Sequence, residues 1–432
     1  MKLLIVGGGG REHALGWAIG RSSRPSQLCF APGNAGTAQL GTNVNIGAED
    51  LAALLALALK EQPELVVVGP EVPLAAGLAD QLRAAGLKVF GPGAAGARLE
   101  ASKVWAKEFM ARHQIPTAQE VTFEECDAAL NYLEQQAGPY VIKADGLAAG
   151  KGVLVTNDRA EARTFINEVM RDQIFGQAGT LLIIEEFLEG TEVSALAFCD
   201  TISGSIVPLE PACDYKRAYE GDAGPNTGGM GAYSPPALMD EALRNRMMQE
   251  VFAPTLRGLI EEGIDYRGIV YAGLIITATG PKVLEYNCRF GDPETQSLLP
   301  RLKSDLLDWL EAVAEGRLKE MGDLEWDTRP SVGVVLAAGG YPGPYQKGLP
   351  VQGLDDFESS TTDLFLFHAG TNLAENGAVV TNGGRIFNVI AMDSSIAAAR
   401  TRVYNKLDEG KLRFEEMRYR RDIAAREVKG EV

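Results

Sequence analysis

The sequence is poor in the residues that build zinc sites and disulfide frameworks. Its 432 residues include five cysteines and three histidines, and no two cysteines form a CxxC pair. His13, His113 and His368 are too dispersed to predict a zinc cluster or a catalytic triad, and no GxSxG elbow is present. Scattered cysteines are typical of reduced thiols in a cytosol. We therefore expect a cytoplasmic protein without a structural zinc site.

Long apolar runs and an excess of positive charge are also missing. The longest apolar run, residues 51–59, is too short to cross a bilayer, and the strand that ends at Gly7 is too short for a signal-peptide core. The net charge of −17 repels nucleic acid and anionic membranes, so we expect neither as a partner. Because ATP is repelled as well, a nucleotide site must concentrate cationic groups and backbone N–H groups locally.

The length and the composition predict a globular protein of several domains. A chain of 432 residues exceeds what one hydrophobic core usually serves, and 46% of the residues are hydrophobic. Residues 1–101 alternate apolar strands with helical stretches, which predicts an open doubly wound α/β domain. Residues 102–326 mix strands and helices in an α+β pattern. A composition shift near Asp327 begins a strand-rich α+β segment, residues 327–432.

A run of four glycines follows the first strand and opens a helix. Backbone N–H groups and the helix dipole make an anion site at such a turn, so Gly8, Gly9 and Gly10 are candidates for binding a phosphate. The run is not the dinucleotide fingerprint, because Glu12 or His13 stands where its third glycine belongs, and this argues against a dehydrogenase. A tight turn that binds nothing explains the same glycines and stays open as an alternative.

A second glycine-rich segment follows the apolar strand at residues 140–143. Gly146, Gly150 and Gly152 bring backbone donors close to an oxygen-rich ligand, while Lys143 and Lys151 add positive charge. The Walker A pattern fails, because one residue is missing between Gly146 and Gly150 and Gly152 replaces the hydroxyl residue that would hold magnesium. The segment predicts a flexible flap over phosphates, with a hairpin of solvated lysines as the alternative.

The apolar strand in residues 181–188 becomes acidic at its end. A strand edge at a domain hinge supplies the apolar slot and the backbone donor and acceptor that adenine needs, which makes Glu185, Glu186 and Leu188 candidates for the nucleotide site. Glu192 follows the next turn and is a candidate acceptor for ribose hydroxyls. A simple exposed strand end explains these residues nearly as well.

Glu285 and Asn287 are the candidate metal ligands. The period of two in a strand places both side chains on one face, and their oxygens suit Mg²⁺ or Mn²⁺. Water and phosphate would occupy the other metal positions. The alternative is an exposed polar strand face on which Arg289 pairs with Glu285. The long polar loop over residues 214–231 predicts a segment that binds or closes over a ligand, with disorder as its alternative.

The order of these features resembles the ATP-grasp superfamily. Lys103, Lys143 with its flap, the hinge at residues 185–188, and Glu285 with Asn287 follow one another as in that superfamily. Shorter motifs across essentially the whole chain resemble the phosphoribosylamine-glycine ligase family: GGGGREHA from Gly7, APGNAGT from Ala31, GPE from Gly69, NTGGMG from Asn226, RFGDPE from Arg289, GGYP from Gly339, HAGT from His368 and TNGGR from Thr381. Many ATP-grasp members place another metal carboxylate on the preceding strand, but residues 270–276 carry none.

The resemblance implies an ATP-grasp domain with a mobile lid at about residues 117–190. It implies ligation of glycine to 5-phosphoribosylamine in purine synthesis, with ATP as co-substrate and glycyl phosphate as intermediate. Lys143, Lys103, Arg289 and magnesium would stabilise the transferring phosphoryl group. Asp214 and Asp292 are candidates for holding an amine, the latter also counted as catalytic, and the glycine turn would hold the ribose phosphate. Further substrate-binding candidates from the same motifs are Lys216, Pro293 and Glu294.

Two other functions stay open at this point. One is a different ATP-grasp activity, for example a carboxylase that acts on a purine intermediate, and the other is a nucleotide-binding regulator without catalysis. We expect a monomer or a weak homo-oligomer, and a transient contact with the enzyme that makes phosphoribosylamine.

Overall fold

The first part of the chain folds around a parallel sheet. The computed structural model describes residues 1–24, 26–147, 152–358 and 363–431. The strands are β1 (Lys2–Gly7), β2 (Gln27–Pro32), β3 (Thr42–Asn43), β4 (Leu65–Val68) and β5 (Val89–Phe90), in the order β3-β2-β1-β4-β5. The helices are α1 (Gly10–Ile19), α2 (Thr37–Leu40), α3 (Leu51–Glu61), α4 (Glu71–Ala75), α5 (Leu78–Ala84) and α6 (Ala94–Ala101). Leu3 and Ile5 pack into one hydrophobic cluster and Leu4 and Val6 into another, because helices cover both faces.

The second part begins with a helix and a small antiparallel sheet. The helices are α7 (Lys103–Arg112), α8 (Cys126–Glu134) and α9 (Arg159–Met170). The strands are β6 (Glu120–Phe123), β7 (Tyr140–Ala144), β8 (Val153–Thr156) and β9 (Leu182–Glu185), in the order β6-β9-β7-β8. A separate hydrophobic cluster, which runs from Phe123 to Ile184, fills the space between this sheet and its two helices, α8 and α9. The predicted lid is therefore a packing unit of its own.

A second antiparallel sheet forms the floor beneath this unit. The strands that follow are β10 (Thr191–Asp200), β11 (Ser205–Pro208), β12 (Cys213–Asp214), β13 (Arg217–Tyr219), β14 (Ala223–Asn226), β15 (Gly231–Ser234), β16 (Arg267–Thr277) and β17 (Gly280–Asn287). The floor has the order β11-β10-β16-β17. The helices are α10 (Glu241–Met247), α11 (Ala253–Glu261), α12 (Glu294–Leu298) and α13 (Leu306–Ala314). The polar loop at residues 214–231 is ordered, because β13 and β14 pair within it.

The last part of the chain completes a sheet that the middle part begins. The strands are β18 (Ser331–Ala337), β19 (Leu364–His368), β20 (Thr371–Leu373), β21 (Val379–Thr381) and β22 (Arg385–Met392), and the helices are α14 (Leu354–Glu358), α15 (Ile396–Asp408) and α16 (Ala425–Lys429). One sheet has the order β12-β15-β18-β22-β19, so it crosses the predicted boundary near Asp327.

The predicted fold class, an α/β and α+β multidomain protein with a parallel N-terminal sheet and a strand-rich C-terminal part, is confirmed. Across the described residues, no helix combines the length and the apolar character that a membrane span needs.

Candidate functional site

A cleft of about 1000 Å³ opens where the three parts of the chain meet. The predicted site residues that line it are Lys103, Lys143, Gly146, Gly152, Glu185, Glu186, Leu188, Glu192, Asp214, Lys216, Glu285, Asn287, Arg289, Asp292 and Glu294. Gly8, Gly9, Gly10 and Pro293 are not part of this lining, and Gly150 and Lys151 lie outside the described residues. Most of the predicted site thus converges on one cleft.

Two lysines share one buried carboxylate in the cleft wall. Lys143 Nζ lies 2.8 Å from Glu185 Oε2, and Lys107 Nζ lies 3.1 Å from Glu185 Oε1. Lys143 also donates to the carbonyl oxygen of Leu284, at 2.9 Å. Burial lowers the pKa of Lys107, and the Glu185 carboxylate opposes that shift. The carboxylate therefore holds two cations in place, although the sequence suggested only a role at the adenine hinge.

The root of the glycine flap is tied to the start of α7. Lys103 Nζ donates to the carbonyl oxygen of Gly146, at 2.9 Å, and burial lowers the pKa of this lysine. The Asp145 carboxylate accepts from Ser102 Oγ and from the backbone N–H of Val104. Gly146 has a φ of +81°, which a residue with a side chain rarely adopts. These contacts bring Lys103 to the same wall as Lys143.

Glu285 and Asn287 lie on the same face of β17, as their spacing predicted. Glu285 is opposite Gly273 on β16, and a side chain at Gly273 would place its Cβ 3.2 Å from Glu285 Cγ. The glycine thus makes room for the carboxylate. Asn287 Oδ1 accepts from Arg289 Nη2, at 3.1 Å. Both side chains line the cleft and are half-buried.

The oxygen pair fits a hard cation that completes its coordination with other ligands. Within the described ranges, no group of three or more His, Cys, Asp and Glu side chains is placed to hold a metal. Two side-chain oxygens on one strand face match Mg²⁺, which keeps several waters and binds substrate phosphates. The alternative in which Arg289 pairs with Glu285 is wrong, because this arginine pairs with Glu71 and Glu100.

Arg289 lies half-buried between those two carboxylates from the N-terminal part. Its Nε lies 3.2 Å from Glu71 Oε2, and its Nη2 lies 2.8 Å from Glu100 Oε1. Burial lowers the pKa of Arg289, but Glu100 and Glu71 outweigh burial, so the pKa is raised. The guanidinium therefore stays charged at the cleft surface.

Lys216 in the cleft lining is held by two carboxylates. Its Nζ lies 2.9 Å from Asp214 Oδ1 and 3.1 Å from Glu192 Oε2. Burial raises the pKa of Asp214 to about 6, with Lys216 opposing the shift and Glu294 adding to it. Glu294 Oε1 accepts from Tyr271 OH, at 2.6 Å. This group of acidic side chains can receive an ammonium or an amine.

The glycine turn at α1 is occupied by the chain itself. The backbone N–H of Gly9 donates to Glu12 Oε2, at 2.6 Å. A Cβ at Gly8 would lie 2.4 Å from the carbonyl oxygen of Gly33, so close backbone approach explains that glycine. The residue of this turn that lines the cleft is Arg11. Phosphate binding at the turn stays a prediction.

Several cleft residues were not predicted as site residues. They are Arg11, Glu71, Glu100, Lys107, Tyr271, Tyr341 and Arg385. Arg385 comes from the C-terminal part, and its Nη1 donates to the carbonyl oxygens of Gly228 and Asp292, at 2.6 and 2.7 Å. Three signals were present in the sequence: Glu71 ends the GPE motif, Arg385 ends the TNGGR motif, and Lys107 follows Lys103 by one helical turn.

Family models match most of the chain. Three domain models of phosphoribosylglycinamide synthetase match it: the N domain over residues 1–100, the ATP-grasp (A) domain over 101–295 and the C domain over 331–426.

Curated relatives and solved structures agree with the family models. The chain is 48% identical to the phosphoribosylamine-glycine ligase of Yersinia pestis over 431 residues, which are 99% of both chains. It is 46% identical to that of Escherichia coli O157:H7 over 434 residues, which are 100% of both. The solved phosphoribosylamine-glycine ligase of Thermotoga maritima is 35% identical, with a TM-score of 0.84 over 98% of this chain and 100% of that one. The chain therefore belongs to the phosphoribosylamine-glycine ligase family, and it is an ATP-dependent ligase of purine biosynthesis.

Proposed function

We propose that the enzyme joins glycine to 5-phospho-D-ribosylamine through glycyl phosphate, and releases glycinamide ribonucleotide, ADP and phosphate. One observation carries this proposal. Three cationic side chains, Lys103, Lys143 and Arg289, meet the oxygen pair of Glu285 and Asn287 in one cleft. Phosphoryl transfer depends on fixed charges of this kind more than on acid or base groups.

The first half-reaction transfers the γ-phosphoryl group to glycine. A carboxylate oxygen of glycine bonds to the γ-phosphorus as the bond to the leaving oxygen of ADP breaks. Lys143 and Arg289 stabilise the charge on the transferring group, because both are already held in place by buried carboxylates. The net charge of the chain is −17, so the local cations provide the attraction for ATP.

Glu285 and Asn287 are the proposed ligands of Mg²⁺ or Mn²⁺. Their fit rests on two oxygen donors from one strand face, with room for Glu285 above Gly273. When bound, the ion would polarise the phosphate oxygens as a Lewis acid.

The second half-reaction joins the amine to the activated glycine. The nitrogen of phosphoribosylamine bonds to the acyl carbon, the bond to the phosphate oxygen breaks, and the departing phosphate takes up the proton that the nitrogen loses. Asp214 and Asp292 are the proposed groups that hold the amines, with Lys216, Pro293 and Glu294 beside them. Asp292 is itself oriented by Gln296 Nε2, which donates to Asp292 Oδ1 at 2.7 Å.

An acyl phosphate must be kept from water, and the unit at about residues 117–190 is the proposed lid. Its own hydrophobic cluster supports movement as one body.

We further propose that Glu186, Leu188, Glu192, Gly150, Lys151 and Gly152 contact the nucleotide. Other proposals are a cytoplasmic location, a monomer or weak homo-oligomer, a transient contact with the enzyme that makes phosphoribosylamine, and the domain boundaries at 101 and 326.

The decisive experiment is a coupled assay of ADP release with glycine and freshly made phosphoribosylamine, omitting each in turn. We expect sustained ADP release only with both substrates, and no response to bicarbonate. ADP release that depends on bicarbonate instead of glycine would identify a carboxylase. Absence of any phosphate release would indicate a nucleotide-binding regulator.

A further inference from the structure

Glu100 makes contacts to which the proposed reaction assigns no role. It lies in the last turn of α6, and its side chain is 8% exposed. An ionised carboxylate in such a place is costly unless hydrogen-bond donors surround it. Among the described residues, the donors that it contacts come from two consecutive residues, Cys288 and Arg289, which directly follow the end of β17.

The two carboxylate oxygens divide these donors between them. Oε2 accepts from the backbone N–H of Cys288, at 2.8 Å, and from Cys288 Sγ, at 3.2 Å. Oε1 accepts from Arg289 Nη2, at 2.8 Å. The same Nη2 donates to Asn287 Oδ1, at 3.1 Å. One buried carboxylate thus holds both the backbone and the guanidinium of the segment that carries Asn287 and Arg289.

These contacts also decide how the Asn287 amide is oriented. Arg289 Nη2 is a hydrogen-bond donor, so the Asn287 atom that faces it must be an acceptor. The Asn287 amide therefore turns Oδ1 rather than Nδ2 towards Arg289. A cation can use the second lone pair of the same oxygen. The position of the Arg289 guanidinium is therefore coupled to the donor atom that Asn287 presents.

We propose that Glu100 is a positioning residue that fixes Asn287 and Arg289 for binding of the metal-nucleotide complex. The inference rests on the proposed function of that site. Glu100 acts from the N-terminal part, through the Cys288 backbone and the Arg289 side chain.

Glu71 contacts the same arginine, but its contact differs from that of Glu100. Its contact is to Arg289 Nε alone, at 3.2 Å, and its side chain is 29% exposed at the cleft. Glu71 therefore balances the charge of Arg289, whereas Glu100 also holds the backbone next to Asn287. A loss of charge balance and a loss of position can be separated by comparing the two residues.

The test measures binding of ADP with and without Mn²⁺ by calorimetry, on the full chain. In Glu100→Gln one carboxylate oxygen becomes an NH₂ donor, which cannot accept from either Cys288 or Arg289. We expect Mn²⁺-dependent ADP binding to weaken by about tenfold or more, as for other residues that orient metal ligands, and metal-free ADP binding to change by less than about threefold.

The matched control is Glu210→Gln. Glu210 Oε1 and Oε2 accept from Arg244, and Oε2 also lies 3.5 Å from Arg301, so the same substitution breaks a carboxylate-arginine contact outside the cleft lining. We expect its melting temperature to fall while both ADP affinities stay at the wild-type values. If Glu100→Gln does not fold, Glu100→Asp, which keeps the charge and loses reach, is measured in the same way.

Equal weakening of ADP binding with and without Mn²⁺, or wild-type binding in both, would overturn the inference. Failure of the proposed function has a different signature. A wild-type enzyme that binds Mn²⁺ and ADP but does not ligate glycine would refute the substrates assigned under the proposed function. The difference in ADP binding between Glu100→Gln and Glu210→Gln would still test whether Glu100 positions Asn287 and Arg289.

Discussion

Lys143 Nζ and Glu185 Oε2 lie 2.8 Å apart across the β7–β9 pair, and both side chains are buried. Glu185 holds Lys107 with its other oxygen. Lys143, which we propose stabilises the transferring phosphoryl group, is thus held in place before ATP binds, which reduces the reorganisation that phosphoryl transfer requires.

Glu185→Gln should destabilise the lid and the cleft wall. It leaves Lys107 and Lys143 buried without their shared carboxylate, and breaking a buried pair in this way costs about 3 kcal/mol or more. Denaturant titration and hydrogen exchange of β9 measure the loss. Glu186→Gln is the matched control, because Glu186 is 39% exposed and its contact with Lys282 is 3.3 Å long. We expect it to cost less than about 1 kcal/mol. Equal losses in the two variants would contradict the assignment.

Glu285→Gln should leave the fold intact and remove most of the activity. The amide keeps the shape above Gly273 but loses the charge that attracts a divalent cation. We expect kcat to fall by about 100-fold or more, with a wild-type melting temperature, since the side chain is half-buried at the cleft. Steady-state kinetics at several Mg²⁺ concentrations are the measurement. Near-normal turnover in a folded variant would refute the metal site.

Acid should weaken the contact between the N-terminal and C-terminal parts at His13. Its Nδ1 accepts from the backbone N–H of His368, at 2.8 Å, and burial with the nearby His368 lowers the pKa of His13 to about 3. The unfolded chain, with a histidine pKa of about 6.5, therefore takes up a proton that the folded chain does not. The contribution of His13 to the free energy of unfolding should be complete above that pH and should fall by about 1.4 kcal/mol per pH unit as the pH drops towards 3.

His13→Asn isolates this contribution. The asparagine oxygen can still accept from His368 but does not titrate, so the variant should lose less stability than wild type between pH 7 and pH 5. Urea midpoints at several pH values measure the difference. Identical slopes for the two proteins would show that His13 is not the source.

Arg420 should hold the β13–β14 hairpin at the cleft. It donates to the carbonyl oxygen of Arg217 and to Asp222, each at 2.9 Å, and lies over the Tyr215 ring. Arg420→Gln removes the donor to the Arg217 carbonyl and one arginine partner of Asp222, while Arg426 still pairs with Asp222. We expect faster proteolysis in residues 217–226 and a fall of about tenfold in kcat/KM, equal to about 1.4 kcal/mol. Arg421→Gln is the control, because Arg421 is 55% exposed and pairs with Asp408. If both variants behave alike, the hairpin is held by other contacts.

Local patterns were enough to predict much of the fold and many of the residues that line the cleft. The apolar run at residues 65–68 is β4, and the period of two places Glu285 and Asn287 together. Both depend on neighbours in sequence. Glu100 and Arg385 reach the cleft from other parts of the chain, and only long-range packing brings them there. The strand predicted to turn acidic ends at Glu185, which is buried between two lysines, so the alternative of a simple exposed strand end is wrong for this residue.

The sheet shared by β12, β15, β18, β22 and β19 has a consequence for how this enzyme can be divided. β15 has β12 on one side and β18 on the other, so it gains its second neighbour only after the C-terminal part has been synthesised. A fragment that ends before β18 would present an open strand edge, which favours association with other chains. The cleft is thus completed last in biosynthesis. Replacing the C-terminal part with that of a related enzyme succeeds only if the new β18 pairs with β15 in the same register, with Val334 opposite Gly231.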